Sequence, residues 1–492
     1  MTQSKRVRIK HMATGVPGLD AVMGGGIPEY SFNLIAGEPG GGKTTFAHQV
    51  MFTNATPERP ALYFTVLGEP AVKMLRYQQQ YSFFDPDKVG EAVRFVNLSD
   101  EVKERGLGGV LERIVAEVEA SSPSLVVVDS FRTAIRATRE ATPDEAGMRS
   151  FVQQLALHLT SWQVTSFLVG EYMPAEQESD PVFTIADAIL WFSQATDRNS
   201  VVRKIQVVKV RGQAQMPGLH TFKITGDGLR VFPRISLAVP EEDRLTPRGR
   251  VSTGVEAVDA LMGGGIPRGD SVLVTGPSGS GKSVLATQFI AEGVKQGEPG
   301  VLVVFEEHPK EYIHRAQGLG FPLQKMVKQG MLEVMYLRPL DLSPDETLFE
   351  IREAAARVSA QRVVIDSMSG FELALAPTFR TDFRESLYRL IGALTGVGIT
   401  VLTTMEIVQD RAELRFTPNV VSFLADDLVL LRYCEVDRQM KKVLAVAKMR
   451  GSQHSKEFRE YEITSRGLEV GGGLDGYRGG ISGAPYLTTF AE

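Results

Sequence analysis

Short runs of consecutive apolar residues recur along the chain and are separated by segments with helical patterning. The runs lie at 31–36, 61–66 and 125–129 in the first half and at 271–275, 301–305 and 362–366 in the second half. Four or five consecutive β-branched or aliphatic residues are typical of strands that are buried on both faces. Helical patterns at 45–50 and 284–289 follow the first run of each half. This alternation predicts an α/β fold, with a mostly parallel sheet flanked by helices.

The second half of the chain repeats the first. Thr14-Gly15-Val16 returns as Thr253-Gly254-Val255, and the Gly-Gly-Gly-Ile-Pro segment at 24–28 returns at 263–267, in both cases 239 residues further on. The repeat predicts a duplicated domain, with one copy at 1–236 and the other at 251–492. The segment 237–250 combines prolines with a charged cluster, which is typical of a linker.

A glycine-rich segment follows the first apolar run of each copy and has the form G-x-x-x-x-G-K-[ST] of a phosphate-binding P-loop. The two segments are Gly37-Glu38-Pro39-Gly40-Gly41-Gly42-Lys43-Thr44 and Gly276-Pro277-Ser278-Gly279-Ser280-Gly281-Lys282-Ser283. Glycines let successive backbone N–H groups turn toward one concave surface, and the following helix adds partial positive charge there. The sequence therefore predicts two nucleoside triphosphate sites, each extending to the next residue, Thr45 or Val284.

The lysines and hydroxyl residues of the two P-loop motifs predict specific contacts with the nucleotide and its metal ion. We expect Lys43 and Lys282 to lie against the β- and γ-phosphates of ATP. Thr44 and Ser283 are expected to ligate Mg²⁺. Asp129 and Asp366 each end an apolar strand, at the sheet edge where open α/β sheets bind their ligands. These two aspartates are therefore the predicted carboxylates on the Mg²⁺ side.

The two copies differ in acidic residues after their second strand. The second copy has Glu306-Glu307, whereas the first copy has Leu67-Gly68 at the matching positions. A carboxylate at the end of a core strand beside a nucleotide can act as a general base. We therefore expect efficient chemistry in the second copy, and nucleotide binding with slow or no hydrolysis in the first.

A Lys-x-Arg-Gly motif follows an alternating apolar run near the end of each copy, at Lys209 and Arg211 and again at Lys448 and Arg450. Two cations at i and i+2 on a strand share a face, so both can approach one anion. Neither copy shows an obvious cation nearer to its own P-loop. We therefore expect each pair to stabilise the γ-phosphate of a neighbouring subunit, which requires a head-to-tail interface that closes into a ring.

The composition of the chain argues against several other classes of protein. The formal net charge of −5 argues against a constitutive nucleic-acid binder. The single cysteine, Cys434, excludes an internal disulfide framework. No run approaches 18 apolar residues, and the N-terminus lacks an apolar signal region. We expect a cytoplasmic protein that does not bind membranes.

Taken together, these motifs make the chain resemble the KaiC family of RecA-like ATPases over nearly the whole of both halves. The resemblance rests on the doubled P-loops, the Gly-Gly-Gly-Ile-Pro segments, Glu306-Glu307 and Lys448-Met449-Arg450-Gly451-Ser452. It implies tandem duplicated RecA-like P-loop NTPase domains stacked in a homohexameric ring, with ATP and Mg²⁺ at the subunit interfaces. It also implies a slow ATPase in the first domain and a Ser/Thr autokinase in the second.

Three departures from the family pattern narrow what the resemblance implies. At the family's adjacent Ser and Thr phospho-acceptors this chain has Ser422 and Phe423, so at most one of the two acceptors is kept. Ser422 is either a phospho-acceptor or a small residue tolerated in an apolar stretch. The first copy lacks the glutamate pair. The residues after Ala484 are fewer than in the family's regulatory tail, so we expect no KaiA-type tail binding, while a KaiB-like or signalling partner stays open.

Two other function classes stay open from the sequence. A RecA-type nucleic-acid motor would need basic loops along a channel. The candidate loops, 132–149 and 378–389, carry arginines but also acids, so no basic stripe is predicted. An ATP-gated signalling scaffold with little turnover is the other alternative.

Overall fold

A computed structural model gives the fold of the chain, which divides into two compact units, Met1–Arg234 and Ile235–Glu492. The structure describes residues 9–65, 71–130, 132, 145–177, 180–197, 200–234, 249–337, 342–375, 379, 383–407, 425–436, 439–473, 477–478 and 486–487. Most of the predicted linker lies outside these residues, so the domain boundaries stay a prediction. Within the described ranges, no helix is both long enough and apolar enough to cross a membrane.

The first unit is built on a nine-stranded sheet in the order β11-β10-β9-β8-β3-β7-β6-β4-β5. Its strands are β3 (Phe32–Gly37), β4 (Ala61–Thr65), β5 (Val93–Asn97), β6 (Leu125–Asp129), β7 (Thr165–Glu171), β8 (Ala188–Asp197), β9 (Ser200–Val210), β10 (Leu219–Thr225) and β11 (Gly228–Phe232). A separate antiparallel pair, β1 (His11–Met12) and β2 (Ile27–Pro28), precedes them. Strands β3 to β8 pair in parallel, and β8 to β11 pair as an antiparallel meander.

Helices cover both faces of this sheet. They span Leu19–Met23, Lys43–Asn54, Ala71–Gln78, Ser99–Ser121, Glu145–Ser161 and Pro181–Ile185, with short 3₁₀ turns at Pro86–Lys88 and Pro174–Gln177. One core contains Phe46 and Val50 of the helix after the P-loop, and the opposite core contains Ile114 and Leu155. Because both faces are covered, the central strands are mostly apolar, as the sequence predicted for the run that ends at Asp129.

The second unit repeats this arrangement with the order β16-β15-β17-β18-β14-β19-β20-β21-β22. Its strands are β12 (Arg250–Val251), β13 (Ile266–Pro267), β14 (Ser271–Gly276), β15 (Gly300–Val304), β16 (Leu332–Tyr336), β17 (Arg362–Asp366), β18 (Thr400–Glu406), β19 (Asp427–Val436), β20 (Gln439–Met449), β21 (Arg459–Thr464), β22 (Gly467–Gly473), β23 (Tyr477–Arg478) and β24 (Tyr486–Leu487). Its helices span Glu256–Leu261, Lys282–Lys295, Pro309–Gly318, Leu323–Lys328, Pro344–Val358, Met368–Ala374 and Phe383–Thr395. The predicted α/β class, with tandem mostly parallel sheets, is confirmed.

The sheet order decides which side chains meet. In the first unit the P-loop strand β3 lies between β7 and β8, and β6 lies beyond β7. Because these strands run parallel, Gly37, Asp129 and Glu171 all come at the same edge of the sheet. The second unit places β14, β17 and β18 in the same relation.

Candidate functional site

The first P-loop joins β3 to the helix Lys43–Asn54 and closes around its own lysine. The ammonium group of Lys43 donates to the carbonyl oxygens of Gly37 at 2.9 Å and Glu38 at 2.6 Å. Gly42 lies at φ 92°, and a Cβ added there would come within 2.8 Å of Ile224. A glycine is therefore required at the start of the helix. Burial lowers the pKa of Lys43, and the charges of Glu171 and Asp129 oppose that effect.

The second P-loop has the same geometry. The ammonium group of Lys282 donates to the carbonyl oxygens of Gly276 and Pro277, both at 2.9 Å. Gly281 lies at φ 96°, and a Cβ there would come within 2.9 Å of Ile463. Burial lowers the pKa of Lys282 as well. The sequence motif has thus produced the same phosphate-binding loop in both units.

A cleft opens beside each P-loop. The first has a volume of about 570 Å³ and is lined by residues 40–45 together with Asp129, Glu171 and Ile224. The second is smaller, about 290 Å³, and is lined by Ser278, Gly279, 281–284, Glu306, Arg315, Asp366, Glu406 and Ile463. The earliest residues of each motif lie behind the cleft, where their carbonyl groups hold the lysine. Buried Ser280 accepts a hydrogen bond from Tyr461 through its carbonyl oxygen.

The predicted Mg²⁺-side residues come together in the first cleft. The hydroxyl of Thr44 donates to a carboxylate oxygen of Asp129 at 2.7 Å, and the phenol of Tyr63 donates to the same oxygen at 2.6 Å. Burial raises the pKa of Asp129, while the hydrogen bonds from Tyr63 and Thr44 lower it. A hydroxyl and a carboxylate at this spacing fit Mg²⁺, which takes oxygen ligands and usually only one or two carboxylates.

The second cleft presents Ser283 and Asp366 on one wall. Here the phenol that contacts the aspartate comes from a different element, since Tyr312 of the helix Pro309–Gly318 donates to Asp366 at 3.3 Å. The hydroxyl of Thr404 also donates to Asp366. Ser283 and Asp366 fit Mg²⁺ in the same way as their counterparts in the first unit.

The glutamate pair separates into two environments. Glu306 lines the cleft, and its carboxylate accepts a hydrogen bond of 2.7 Å from the hydroxyl of Ser367. Glu307 is instead paired with Arg315, whose guanidinium lies 2.7 Å from its carboxylate. The structure thus places Glu306 in the wall of the cleft and pairs Glu307 with Arg315, and the catalytic role of the two glutamates stays a prediction. The first-unit counterparts, in 66–70, lie outside the described residues.

The Lys-x-Arg pairs lie at the sheet edge opposite the P-loops. Lys209 is in register with Ile189 of β8, and its ammonium donates to the carbonyl of Phe183 at 3.0 Å. Arg211 pairs with Asp187 at 3.0 Å, and Asp187 also accepts from the backbone N–H at the start of β3. The pair therefore lies beside the start of the P-loop strand, away from the phosphate-binding end of its own unit.

The second unit holds its pair in the same way. Arg450 pairs with Asp426 at 3.2 Å, and the ammonium of Lys448 donates to the carbonyl of Ala425 at 2.6 Å. Asp426 in turn accepts from the backbone and hydroxyl of Ser271, the first residue of β14. The arrangement is thus a property of the repeated domain.

Comparison with known proteins now identifies the family. The family model described as "ATPase: KaiC" matches residues 12–236 and again residues 251–474. The chain belongs to the KaiC ATPase family. Among similar proteins, the circadian clock oscillator protein KaiC of Picosynechococcus sp. is 28% identical over 97% of this chain and 92% of its own length. The KaiC protein of Thermostichus vulcanus is 26% identical over 98% and 93%, and KaiC 1 of Synechocystis sp. is 28% identical over 98% and 92%.

Two acids of this KaiC-family chain were not found from the sequence. Glu171 and Glu406 line the first and second clefts, at the ends of β7 and β18. They lie in register with Gly37 and Gly276, the first residues of the P-loops. In the sequence, both copies have a glutamate at the end of an apolar run, and this pattern could have predicted the two residues. A comparison of the copies at the P-loop spacing of 239 residues does not align them, because these glutamates are 235 positions apart.

Arg315 was also missed, and it corrects the expectation that neither copy has a cation near its own P-loop. It lies in the wall of the second cleft with Lys282. Ser422, the acceptor suggested by the KaiC resemblance, lies outside the described residues. Its phosphorylation stays a prediction.

Proposed function

We propose that this KaiC-family ATPase binds Mg²⁺-ATP in both units and hydrolyses it efficiently only in the second. The observation that carries the proposal is the position of Glu306, whose carboxylate lies in the same cleft wall as Lys282, Ser283 and Asp366. A general base must lie within reach of the nucleophile beside the terminal phosphate. Glu306 is proposed to meet that condition, and the hydrogen bond from the hydroxyl of Ser367 to its carboxylate supports a fixed orientation.

The residues of the second cleft divide the reaction among them. Lys282 and the P-loop N–H groups bind the phosphates, and Ser283 and Asp366 hold Mg²⁺. When bound, the ion neutralises charge on the β- and γ-phosphate oxygens. Glu306 accepts a proton from water as the water oxygen bonds to the γ-phosphorus. The bond to the bridging oxygen then breaks, and ADP and phosphate leave.

The difference in the general base between the units is proposed to lie at Glu306. Glu171 and Glu406 occupy matching positions in both clefts, so they cannot account for unequal turnover. The first unit has Leu67 at the position that corresponds to Glu306. A leucine cannot accept a proton, so the first unit is proposed to retain nucleotide with slow or no hydrolysis.

The active form is proposed to be a homohexameric ring with ATP at the subunit interfaces. The supporting observation is the place of Lys448 and Arg450, at the edge of the sheet away from their own P-loop. Lys448 near the end of β20 and Arg450 directly after it are therefore proposed to contact a phosphate brought by another subunit. Autophosphorylation of Ser422 in such a ring would transfer the γ-phosphoryl group from ATP to the serine oxygen.

The test is incubation with γ-labelled ATP, with label followed to free phosphate and onto protein. We expect Lys282→Ala and Glu306→Gln each to lower phosphate release by about 10²-fold or more. Lys43→Ala is the matched variant in the first P-loop and should mainly weaken assembly. Its turnover is therefore measured at a protein concentration at which the ring still forms, where most turnover should remain. Label on wild-type protein but not on Ser422→Ala would identify the acceptor. The opposite order of effects for the two lysines would refute the proposed division.

A further inference from the structure

The helix Pro309–Gly318 carries an arginine into the second cleft. The glutamate pair follows β15, and the helix begins one residue after the pair, with His308 as its N-cap. Tyr312 of this helix contacts Thr287 of the P-loop helix. Arg315 lies near the C-terminal end of the helix Pro309–Gly318 and lines the cleft together with Lys282 and Ser283. The arginine belongs to the same unit as the P-loop it faces, unlike the Lys448 and Arg450 pair.

Two neighbours hold the guanidinium in place. Its nitrogens lie 2.7 Å and 3.4 Å from the two carboxylate oxygens of Glu307, a contact to both oxygens. The guanidinium carbon lies 4.6 Å from the centre of the Tyr312 ring. The guanidinium group of Arg315 thus forms an ion pair through its N–H groups and a cation–π contact through its face, and together these contacts fix its orientation.

Tyr312 ties this arrangement to the phosphate-binding residues. It is fully buried, and its hydroxyl lies 2.9 Å from the hydroxyl of Thr287 on the P-loop helix. The same hydroxyl donates to Asp366 at 3.3 Å. Arg315 is therefore positioned by a rigid ring that is fixed to both the P-loop helix and the Mg²⁺-side carboxylate.

The acidic side chains in the wall of the second cleft favour a second cation beside Lys282. Glu306, Asp366 and Glu406 are acidic, and a bound triphosphate adds further negative charge. Among the described residues in its wall, Lys282 and Arg315 are the cations. Charge that develops on the phosphoryl oxygens needs fixed donors that do not have to reorganise during the reaction.

We propose that Arg315 is a cis-acting catalytic arginine that contacts the phosphate oxygens of the nucleotide in the second site, and that Glu307 is its positioning residue. The proposal rests on the proposed hydrolysis in the second unit. It divides the glutamate pair, since Glu306 activates water and Glu307 acts through Arg315. It adds a cation from the same subunit to those supplied by a neighbour.

The first unit provides a natural control. Arg76 occupies the corresponding helix position, 239 residues earlier, and it is exposed. The positions that match Glu307 and Tyr312 are Gly68 and Lys73. Arg76 is not among the described residues that line the first cleft. The complete arrangement of glutamate, tyrosine and arginine thus belongs to the second unit.

Arg315→Gln is the test, with Arg76→Gln as the matched control and kcat, nucleotide Kd and melting temperature measured for each. We expect Arg315→Gln to lower kcat by about 10²-fold, with a smaller change in Kd and an unchanged melting temperature. Arg76→Gln should stay within about twofold of wild type. A change in kcat of less than about threefold for Arg315→Gln would overturn the proposal. If the proposed hydrolysis in the second unit were itself wrong, Lys282→Ala would also have the kcat of wild type, which distinguishes the two failures.

The positioning role of Glu307 is tested by comparing the loss of kcat in single and double variants of Glu307 and Arg315. If it acts through Arg315, the double variant Glu307→Gln/Arg315→Gln should have the same kcat as Arg315→Gln alone. An independent role in water activation would instead make the two losses multiply. That outcome would restore Glu307 to the catalytic pair and remove its positioning role.

Subunit mixing separates cis from trans action. A variant that keeps its P-loop but lacks a trans residue regains turnover when mixed with Lys282→Ala protein, because the Lys282→Ala neighbour supplies the missing residue. We expect recovery for Lys448→Ala mixed with Lys282→Ala, and none for Arg315→Gln in the same mixture. Recovery of Arg315→Gln would show that the arginine acts on the neighbouring site.

Discussion

At the scale of single residues, the two units differ most where one has an acid and the other an apolar side chain. Asp427 begins β19 and is fully buried, whereas Ala188 begins the matching strand β8. Burial, with the charges of Asp270 and Asp426, raises the pKa of Asp427 to about 7. Arg250 lowers that pKa in part. The second unit therefore contains a carboxyl group that the fold keeps protonated in mildly acidic solution.

This pKa predicts a pH dependence of stability. Between the ordinary value of 3.8 and about 7, the folded protein holds a proton that the unfolded chain has released. The contribution of Asp427 to stability is therefore full below the ordinary pKa and is lost as the pH rises to about 7. We expect Asp427→Asn to be more stable than wild type at pH 8, with a gap larger by on the order of 2 kcal/mol than at pH 5. Urea unfolding of both proteins at pH 5 and pH 8 measures the difference in their free energies of unfolding. A difference that does not change with pH would contradict the prediction.

At the scale of elements, a buried ion pair joins the second sheet to its P-loop helix. Arg362 begins β17 and is fully buried, and its guanidinium donates to Glu298 at 2.7 Å and to the carbonyl of Phe289 at 2.8 Å. Leu125 begins the matching strand of the first unit. A buried pair adds little net stability over apolar residues. Glu298 also pairs with Arg268, so removal of Arg362 leaves this carboxylate with one ion-pair partner.

The pair gives a prediction for this element. We expect Arg362→Leu to lower the free energy of unfolding by about 1–3 kcal/mol, because the buried carbonyl groups of Ser252 and Phe289 lose their hydrogen-bond donor while Glu298 keeps Arg268 as its ion-pair partner. Arg357→Leu is the control, since that arginine pairs with Glu333 at the surface, and it should cost no more than about 1 kcal/mol. Urea unfolding compares them, and equal losses in the two variants would rule out the buried pair as a fixed link.

At the scale of the whole molecule, the repeated placement of a cation pair opposite each P-loop favours assembly. Asp187 and Asp426 fix Arg211 and Arg450 to the start of the P-loop strands. In the proposed ring, such a pair in each unit would contact the phosphates of the neighbouring subunit. The same fold would then supply both halves of each proposed shared site.

The proposed ring is tested by measuring the molar mass of the protein in solution. With Mg²⁺-ATP we expect light scattering to give six times the chain mass of 53.9 kDa. Lys43→Ala should shift the population to smaller species, because the first unit is proposed to retain nucleotide for assembly. Lys282→Ala should keep the ring while losing turnover. A single-chain mass under all conditions would exclude the ring and, with it, the trans role of the cation pairs.

The sequence by itself determined the duplication, the two phosphate-binding loops and the buried strands. These features are local, since a P-loop needs glycines at fixed spacing and a strand covered on both faces needs an apolar run. Asp129 and Asp366 were found for the same reason, because each directly ends such a run.

The tertiary structure alone decided which side chains share a cleft. Glu171 and Glu406 meet the P-loops only because β7 and β18 lie next to the P-loop strands, a pairing of segments more than 120 residues apart. The place of Arg315 in the cleft depends on Tyr312, whose hydroxyl contacts Thr287 on the P-loop helix and Asp366 at the end of β17. Such contacts follow from strand order and helix packing over long sequence separations, which residue patterns along the chain do not encode.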